Sequence, residues 1–238
     1  MQFIDIHTHH INPTNQYSKS ILNVFAHEIV EKLENLPLKQ LISIGLHPYH
    51  LESERQQTEI TKNIALVKQY ANNNQVWAIG ETGLDKSRNY KSPNMNFELQ
   101  KEVFYQHIKI SEIVKKPLII HCVRAYNEVL AIKKQLKPQQ KWIFHGFNGN
   151  AEIAKQLLAH NCYLSYGHNL FNSTAKATLF FKEMPLELLF LETDTINNSM
   201  NNTISDIEKI YLQAAILKNI KIEDLMAQIL VNFENLTF

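Results

Sequence analysis

Residues 117–121 read PLIIH and residues 141–145 read KWIFH. Each is a short apolar run closed by a histidine, and residues 124–136 between them carry the apolar spacing of a helix. Near-continuous apolar runs separated by helices predict parallel strands buried on both faces. The same pattern recurs outward in both directions. Strands are predicted at 2–7 (QFIDIH), 20–25 (SILNVF), 41–46 (LISIGL), 76–80 (VWAIG), 162–166 (CYLSY) and 188–192 (LLFLE), which makes eight in all. Helical periodicity fits 54–72, 96–115, 150–160, 173–182, 203–218 and 222–235. Eight strands in this alternation predict an α/β chain, a (β/α)8 TIM-type barrel in a single domain spanning 1–238. The region of the first three strands is expected to be irregular. Residues 10–19 are too short and polar for a normal first helix, and 26–40 hold at most a short one.

Composition bounds the function. A hydrophobic content of 45% and a charged content of 20% describe an ordinary globular protein. The formal net charge of +1 argues against a protein that grips long duplexes through many phosphates. A nucleic-acid substrate would therefore be held over a small footprint. Cys122 and Cys162 are the two cysteines, with no CxxC, which suits a reducing compartment. The first residues lack the charged and apolar regions of a signal peptide, and no apolar run approaches the ~18 residues of a membrane span. A cytoplasmic protein without membrane contact or an obligate protein partner is expected.

The polar residues fall where the predicted strands end. His7 and His9 close the first strand, and His47 follows the third in GLHP. Glu81 follows the fourth in GETGLD, His121 and His145 end the fifth and sixth, and Asp194 follows the eighth in LETD. In a (β/α)8 barrel these ends share one face, where active sites lie. His7 and His9, two positions apart, project to the same side roughly 6–7 Å apart. One ion with ~2.1 Å bonds spans that gap. Asp194 can complete its shell, His121 and His145 can hold a second ion, and Glu81 can bridge the two. Mixed imidazole and carboxylate donors suit Zn, Mn or Fe, with Mg expected to take fewer histidines. Two divalent ions ~3.5–4 Å apart are suited to hydrolysis. Each residue alone has a plainer alternative: an incidental HxH, a turn histidine at His47, or helix caps at Glu81 and Asp194.

The ordered set DIHTH, GLHP, GETGLD, PLIIH, FHGF and LETD resembles the TatD-like metal-dependent hydrolases of the amidohydrolase superfamily, from Asp5 to about Asp194. The resemblance implies a TIM-type barrel with two divalent ions and DNase or phosphodiesterase activity. By motif position it assigns His7, His9 and Asp194 to one ion, Glu81 to a bridge, and His121 and His145 to the other. It makes Asp194 the residue that orients or deprotonates the attacking water. His47 would contact phosphate or assist the leaving group, and Asp85 and Asp5 would orient the ligands. Two departures stand out. ETDTINN lacks the proline the family carries after its last acid, and HCVRA puts Val123 where an arginine is usual, with Arg124 one later. Arg124 is thus either a phosphate contact or a surface residue.

Remaining features point to structure more than chemistry. Segments 86–96 and 195–203 are polar loops expected to rim a site, and Lys86, Arg88 and Lys91 beside Tyr90 read as a solvated loop or a phosphate contact. Trp77 and Trp142 are expected in the core, and Cys122 is turned from the metal face by alternation. His10, His27, His50, His107 and His160 have no convergent placement, while His168 follows the seventh strand. The function expected is a metal-dependent hydrolase of phosphodiester bonds, a deoxyribonuclease acting on DNA ends. The alternatives are a small-molecule phosphoesterase, a C–N amidohydrolase, or a non-catalytic metal-binding scaffold.

Overall fold

Branched and aromatic side chains at consecutive positions make each apolar run a strand, because both of its faces are covered. In the computed structural model, which describes residues 2–10, 18–51, 57–87, 97–194 and 205–236, eight strands form one sheet in the order β1 to β8. They are β1 (Phe3–Thr8), β2 (Ser18–Phe25), β3 (Leu41–Gly45), β4 (Val76–Asp85), β5 (Leu118–Val123), β6 (Trp142–Phe144), β7 (Tyr163–Tyr166) and β8 (Leu189–Leu191). The helices between and after them are α1 (Ile29–Asn35), α2 (Gln57–Tyr70), α3 (Phe97–Val114), α4 (Tyr126–Leu136), α5 (Ala151–Ala159), α6 (Lys176–Phe181), α7 (Ser205–Lys218) and α8 (Ile222–Glu234). Parallel strands in sequential order, joined through helices, are the topology of the (β/α)8 fold.

The expected irregularity is present. β2 begins at Ser18, α1 is seven residues long, and the β1–β2 register shifts between Asp5 and Thr8. One strand departs from expectation. β4 runs to Asp85 and is buried throughout, so Glu81 lies inside it rather than after it. The glycines of GETGLD look like strand breakers, but here their missing Cβ lets neighbouring strands approach.

The chain divides into two compact units, residues 1–22 with 144–238, and residues 23–143. In the second, Ile42, Ile44, Val76, Ile79 and Leu118 through Ile120 form a buried core, and Trp142 packs edge-on against Phe104 at 5.5 Å. Trp77 and Trp142 are core residues, as expected, and Cys122 is buried, its thiol pushed up by burial. In the first unit, Ile4 and Ile6 of β1 are fully buried with Phe144, Leu164, Tyr166, Phe190 and Tyr211. Among the described residues, no helix is long and apolar enough to cross a membrane.

Candidate metal centre

Within 23–143, Glu81 of β4 is buried and its Oε1 lies 3.1 Å from His47 Nε2 and 3.0 Å from His121 Nδ1. Asn23, an amide in the otherwise apolar half of β2, holds Glu81 from two sides. Its Nδ2 donates to Glu81 Oε2 (3.1 Å) and its Oδ1 accepts the Glu81 N–H (3.0 Å) and, at 3.3 Å, the Ser43 hydroxyl. Sequence reading missed Asn23; its signal was a lone polar residue in SILNVF. Two glycines set the strand spacing. A Cβ on Gly45 would lie 2.6 Å from the Glu81 carbonyl oxygen, and one on Gly83, at φ +146°, would lie 2.0 Å from the His121 carbonyl oxygen.

His47 follows β3 and opens a turn of 3-10 helix over Pro48–His50, where its Nδ1 accepts the Tyr49 N–H at 3.0 Å. A neutral imidazole whose Nδ1 accepts carries its proton on Nε2. His47 therefore faces Glu81 with a donor rather than a lone pair. His121 is held differently: its Nε2 is 2.9 Å from Asp85 Oδ2 while Nδ1 faces Glu81. With Nε2–H donated to the Asp85 carboxylate, the Nδ1 lone pair and the Glu81 carboxylate converge, and that convergence suits a cation.

Asp85 is fully buried, and burial pushes its carboxyl up. The hydrogen bonds from His121 and from the Ser87 hydroxyl and N–H outweigh this and hold it down at about 2. Its main chain is clasped by Gln100 of α3, which accepts the Asp85 N–H (2.8 Å) and donates to the Asp85 carbonyl (3.2 Å). One helix turn pair further, His107 is fully buried. Its Nε2 accepts the Leu46 N–H at 3.1 Å, and its Nδ1 donates to the Val103 carbonyl at 2.8 Å. Burial pushes the His107 imidazole down to about 4, so it is neutral. Nothing in the spacing of α3 marks Gln100 and His107 as braces for these strand ends.

Within the other unit, His7 Nε2 and His9 Nε2 lie 3.7 and 3.5 Å from Asp194 Oδ1. These distances exceed a hydrogen bond. They match the roughly 3.4 Å edge of a tetrahedral shell with ~2.1 Å bonds. Asp194 holds a left-handed backbone (φ 46°), its N–H donates to the His7 carbonyl at 3.1 Å, and its side chain is 36% exposed. The His145 ring lies 4.2 Å from that of His7, and its Nδ1 is 3.6 Å from Glu192 Oε1. Glu192 is buried. Its Oε1 accepts the Gly146 N–H at 2.5 Å, and its Oε2 has no hydrogen-bond partner among the described residues. His145, Glu192 and Asp194 form a second donor group here, with ligand atoms within 4.8 Å of one another. Glu192 is a residue the sequence reading passed over. Asp5 braces the cluster through the main chain, its carboxylate accepting a backbone hydrogen bond from His7. Its carboxylate accepts the Thr193 N–H (3.0 Å) and hydroxyl (2.7 Å), fixing the residue before Asp194. Burial pushes Asp5 up to about 7 against those bonds.

Two sets of imidazole nitrogen and carboxylate oxygen are thus assembled, Glu81–His121 with His47 beside them as a donor, and His7–His9–Asp194, each fit to hold a divalent ion. Within its own unit His121 neighbours Glu81, and within the other unit His145 neighbours Glu192. Arg124 is exposed between β5 and α4 with φ 54°. Lys86 pairs with Glu128 and lies 5.0 Å over the Phe97 ring, whereas Arg88, Tyr90, Lys91 and all of 195–203 fall outside the described residues. His10 is tied to Thr8 Oγ1 through its N–H. His27 and His50, expected to stand apart, join Phe25 and His47 in one group of rings.

Known proteins share both fold and sequence with this chain. A Buchnera aphidicola protein described as an uncharacterized metal-dependent hydrolase is 36% identical over 157 residues, 65% of this chain and 56% of its own. Deoxyribonuclease Tat-D of Schizosaccharomyces pombe is 29% identical over 160 residues, 64% of this chain and 50% of its own. The chain therefore spans about half the length of these relatives. The crystal structure of YJJV, a TatD homologue from Escherichia coli K12, superposes with a TM-score of 0.80 at 20% identity, over 99% of this chain and 97% of that one. The family profile described as TatD related DNase matches residues 4–237, nearly every residue that carries the strands and both donor clusters, and the chain belongs to that family.

Proposed function

We propose that residues 1–238 act as one divalent-metal-dependent phosphodiesterase, a deoxyribonuclease working on DNA ends in a reducing, cytoplasmic compartment. The observation that carries this reading is the pair of donor clusters, and above all the 3.5 and 3.7 Å spacings about Asp194. The ligands are His7, His9, Asp194 and His145 for one ion, and Glu81 and His121 for another, drawn from Zn, Mn, Mg or Fe. When bound, such ions acidify water and neutralise charge on a phosphoryl oxygen.

The protein's own groups have separate tasks. Asp194, partly exposed, takes the proton of the attacking water at its carboxylate. Glu81, gripped by Asn23, is fixed in one orientation. His47 offers Nε2–H to a phosphate oxygen or to the departing alkoxide. Its donor tautomer, imposed by the Tyr49 N–H, supports that role over metal ligation. Arg124 supplies an exposed positive charge for phosphate.

The test is element analysis of the purified protein, followed by chelation and reconstitution, with hydrolysis of single-stranded oligonucleotides across metals. Nucleotide release is expected only with metal, and Asp194→Asn is expected to lower kcat by roughly 10²-fold or more. Turnover of simple phosphate esters or lactones, with oligonucleotides left intact under every metal, would overturn the DNase reading.

A further inference from the structure

The buried half of β2 carries one polar residue, Asn23, and the fold sets it against a candidate metal ligand. Asn23 on β2, Ser43 on β3 and Glu81 on β4 are all buried. The Asn23 Oδ1 accepts the Glu81 N–H at 3.0 Å and the Ser43 hydroxyl at 3.3 Å, and its Nδ2 donates to Glu81 Oε2 at 3.1 Å. Chemistry fixes which way the amide points. A backbone N–H can only donate, so the atom facing it is the oxygen, and the NH2 group is left for the carboxylate. One side chain thus holds both the main chain of Glu81 and one of its two carboxylate oxygens.

Those two oxygens are no longer equivalent. Oε2 faces the Asn23 donor, whereas Oε1 lies 3.0 Å from His121 Nδ1. That spacing is roughly the edge of an octahedral shell with ~2.1 Å bonds, the bond length of small divalent ions. An ion beside His121 therefore meets one oxygen of Glu81 rather than the pair. Ca2+ takes roughly 6–8 oxygens at ~2.3–2.6 Å, and often both oxygens of one carboxylate. Mn2+ and Zn2+ accept an imidazole nitrogen beside a single carboxylate oxygen.

We propose that Asn23 determines ion specificity: by holding Oε2 it limits Glu81 to one donor oxygen, which sets the Glu81–His121 site for a small divalent ion and against Ca2+. This rests on the metal-ligand reading above. The test is a binding measurement on the full chain. Mn2+ is titrated into metal-free protein, free Mn2+ is read by electron paramagnetic resonance, and Ca2+ is the competitor. The Mn2+ sites lost in Glu81→Gln identify the centre concerned. In the wild-type protein Ca2+ is expected to displace Mn2+ there only at roughly 100-fold excess or more. Asn23→Leu and the smaller Asn23→Ser both delete the donor, with folding checked by urea unfolding. Either is expected to shrink the preference for Mn2+ by roughly tenfold. Ser43→Ala removes a bond to Asn23 but none to Glu81, and is expected to keep the preference. A purely structural Asn23 would weaken both ions alike. A preference unchanged within twofold in a folded Asn23 variant, or equal wild-type affinities for the two ions, would overturn the role of Asn23 alone. A wild-type protein without any Mn2+ site that Glu81→Gln removes would sink the metal-ligand reading and this inference together.

Discussion

Asp85 is a fully buried carboxylate that stays ionised, because His121 and Ser87 hydrogen-bond to it more strongly than burial opposes it. Its value to a metal centre is orientation: it holds His121 by Nε2 and leaves Nδ1 turned towards Glu81. Asp85→Asn keeps the shape and removes the charge. We expect it to weaken metal binding about 10–100-fold, measured by competition against a chromogenic chelator. Affinity unchanged within twofold would sink this role. At this scale the sequence was legible where residue type and strand position agreed. His7, His9, His121, His145 and Asp194 are metal-capable groups at or beside strand ends, and their types name their chemistry. Asn23 and Glu192 were not legible. An amide or an acid in an apolar strand has many uses, and only the contacts to Glu81 and Gly146 say which applies.

Among the elements, α3 does more than cover β4. Gln100 and His107, seven positions apart on its buried side, clasp the main chain of Asp85 and of Leu46, the residue before His47. The imidazole of His107 has its ordinary value of 6.5 in the unfolded chain and about 4 when buried. The unfolded state thus binds more protons between those values. The stabilisation is complete above about pH 6.5 and is lost as pH falls through about 4. The shift corresponds to an effect on the order of 3 kcal/mol. His107→Gln, which can still accept the Leu46 N–H, should flatten the stability profile between pH 6.5 and 4, read from urea midpoints at each pH. A variant as acid-sensitive as the wild type would exclude His107 as the origin. All eight strands were legible from their apolar runs, most to within two residues. The far end of β4 was not, because the apolar run of VWAIG stops at Gly80 while the strand continues through the polar GETGLD. The role of its glycines is close approach: a Cβ on Gly83 would meet the next strand's backbone. Nor does periodicity distinguish a polar residue that braces a strand end, such as Gln100, from one that faces solvent.

Over the whole molecule, one compact unit is built from both ends of the sequence, residues 1–22 and 144–238. No local pattern reveals such pairings, and this is why the sequence showed the strands but not what ties them. Asp5 holds Thr193 from 188 positions away. Tyr211 of α7 reaches Ile4 from 207 positions away. Its hydroxyl accepts the Ile4 N–H at 3.1 Å and donates to the Ile4 carbonyl at 2.9 Å, while its ring packs edge-on against Phe3 at 5.1 Å. The hydroxyl is thus the polar tie between β1, which carries His7, and the C-terminal helices. Tyr211→Phe removes that tie and keeps the ring. It leaves a buried N–H and C=O to lose these bonds, at a cost of about 1–3 kcal/mol. We expect a lower urea midpoint with an unchanged slope, since the surface exposed on unfolding is the same. Because His7 sits three residues beyond Ile4 on the same strand, the variant should also lose metal more readily on heating than wild type. A variant with wild-type midpoint would show that the aromatic packing alone secures β1, and that the long-range hydroxyl bonds contribute nothing to holding the two chain ends together.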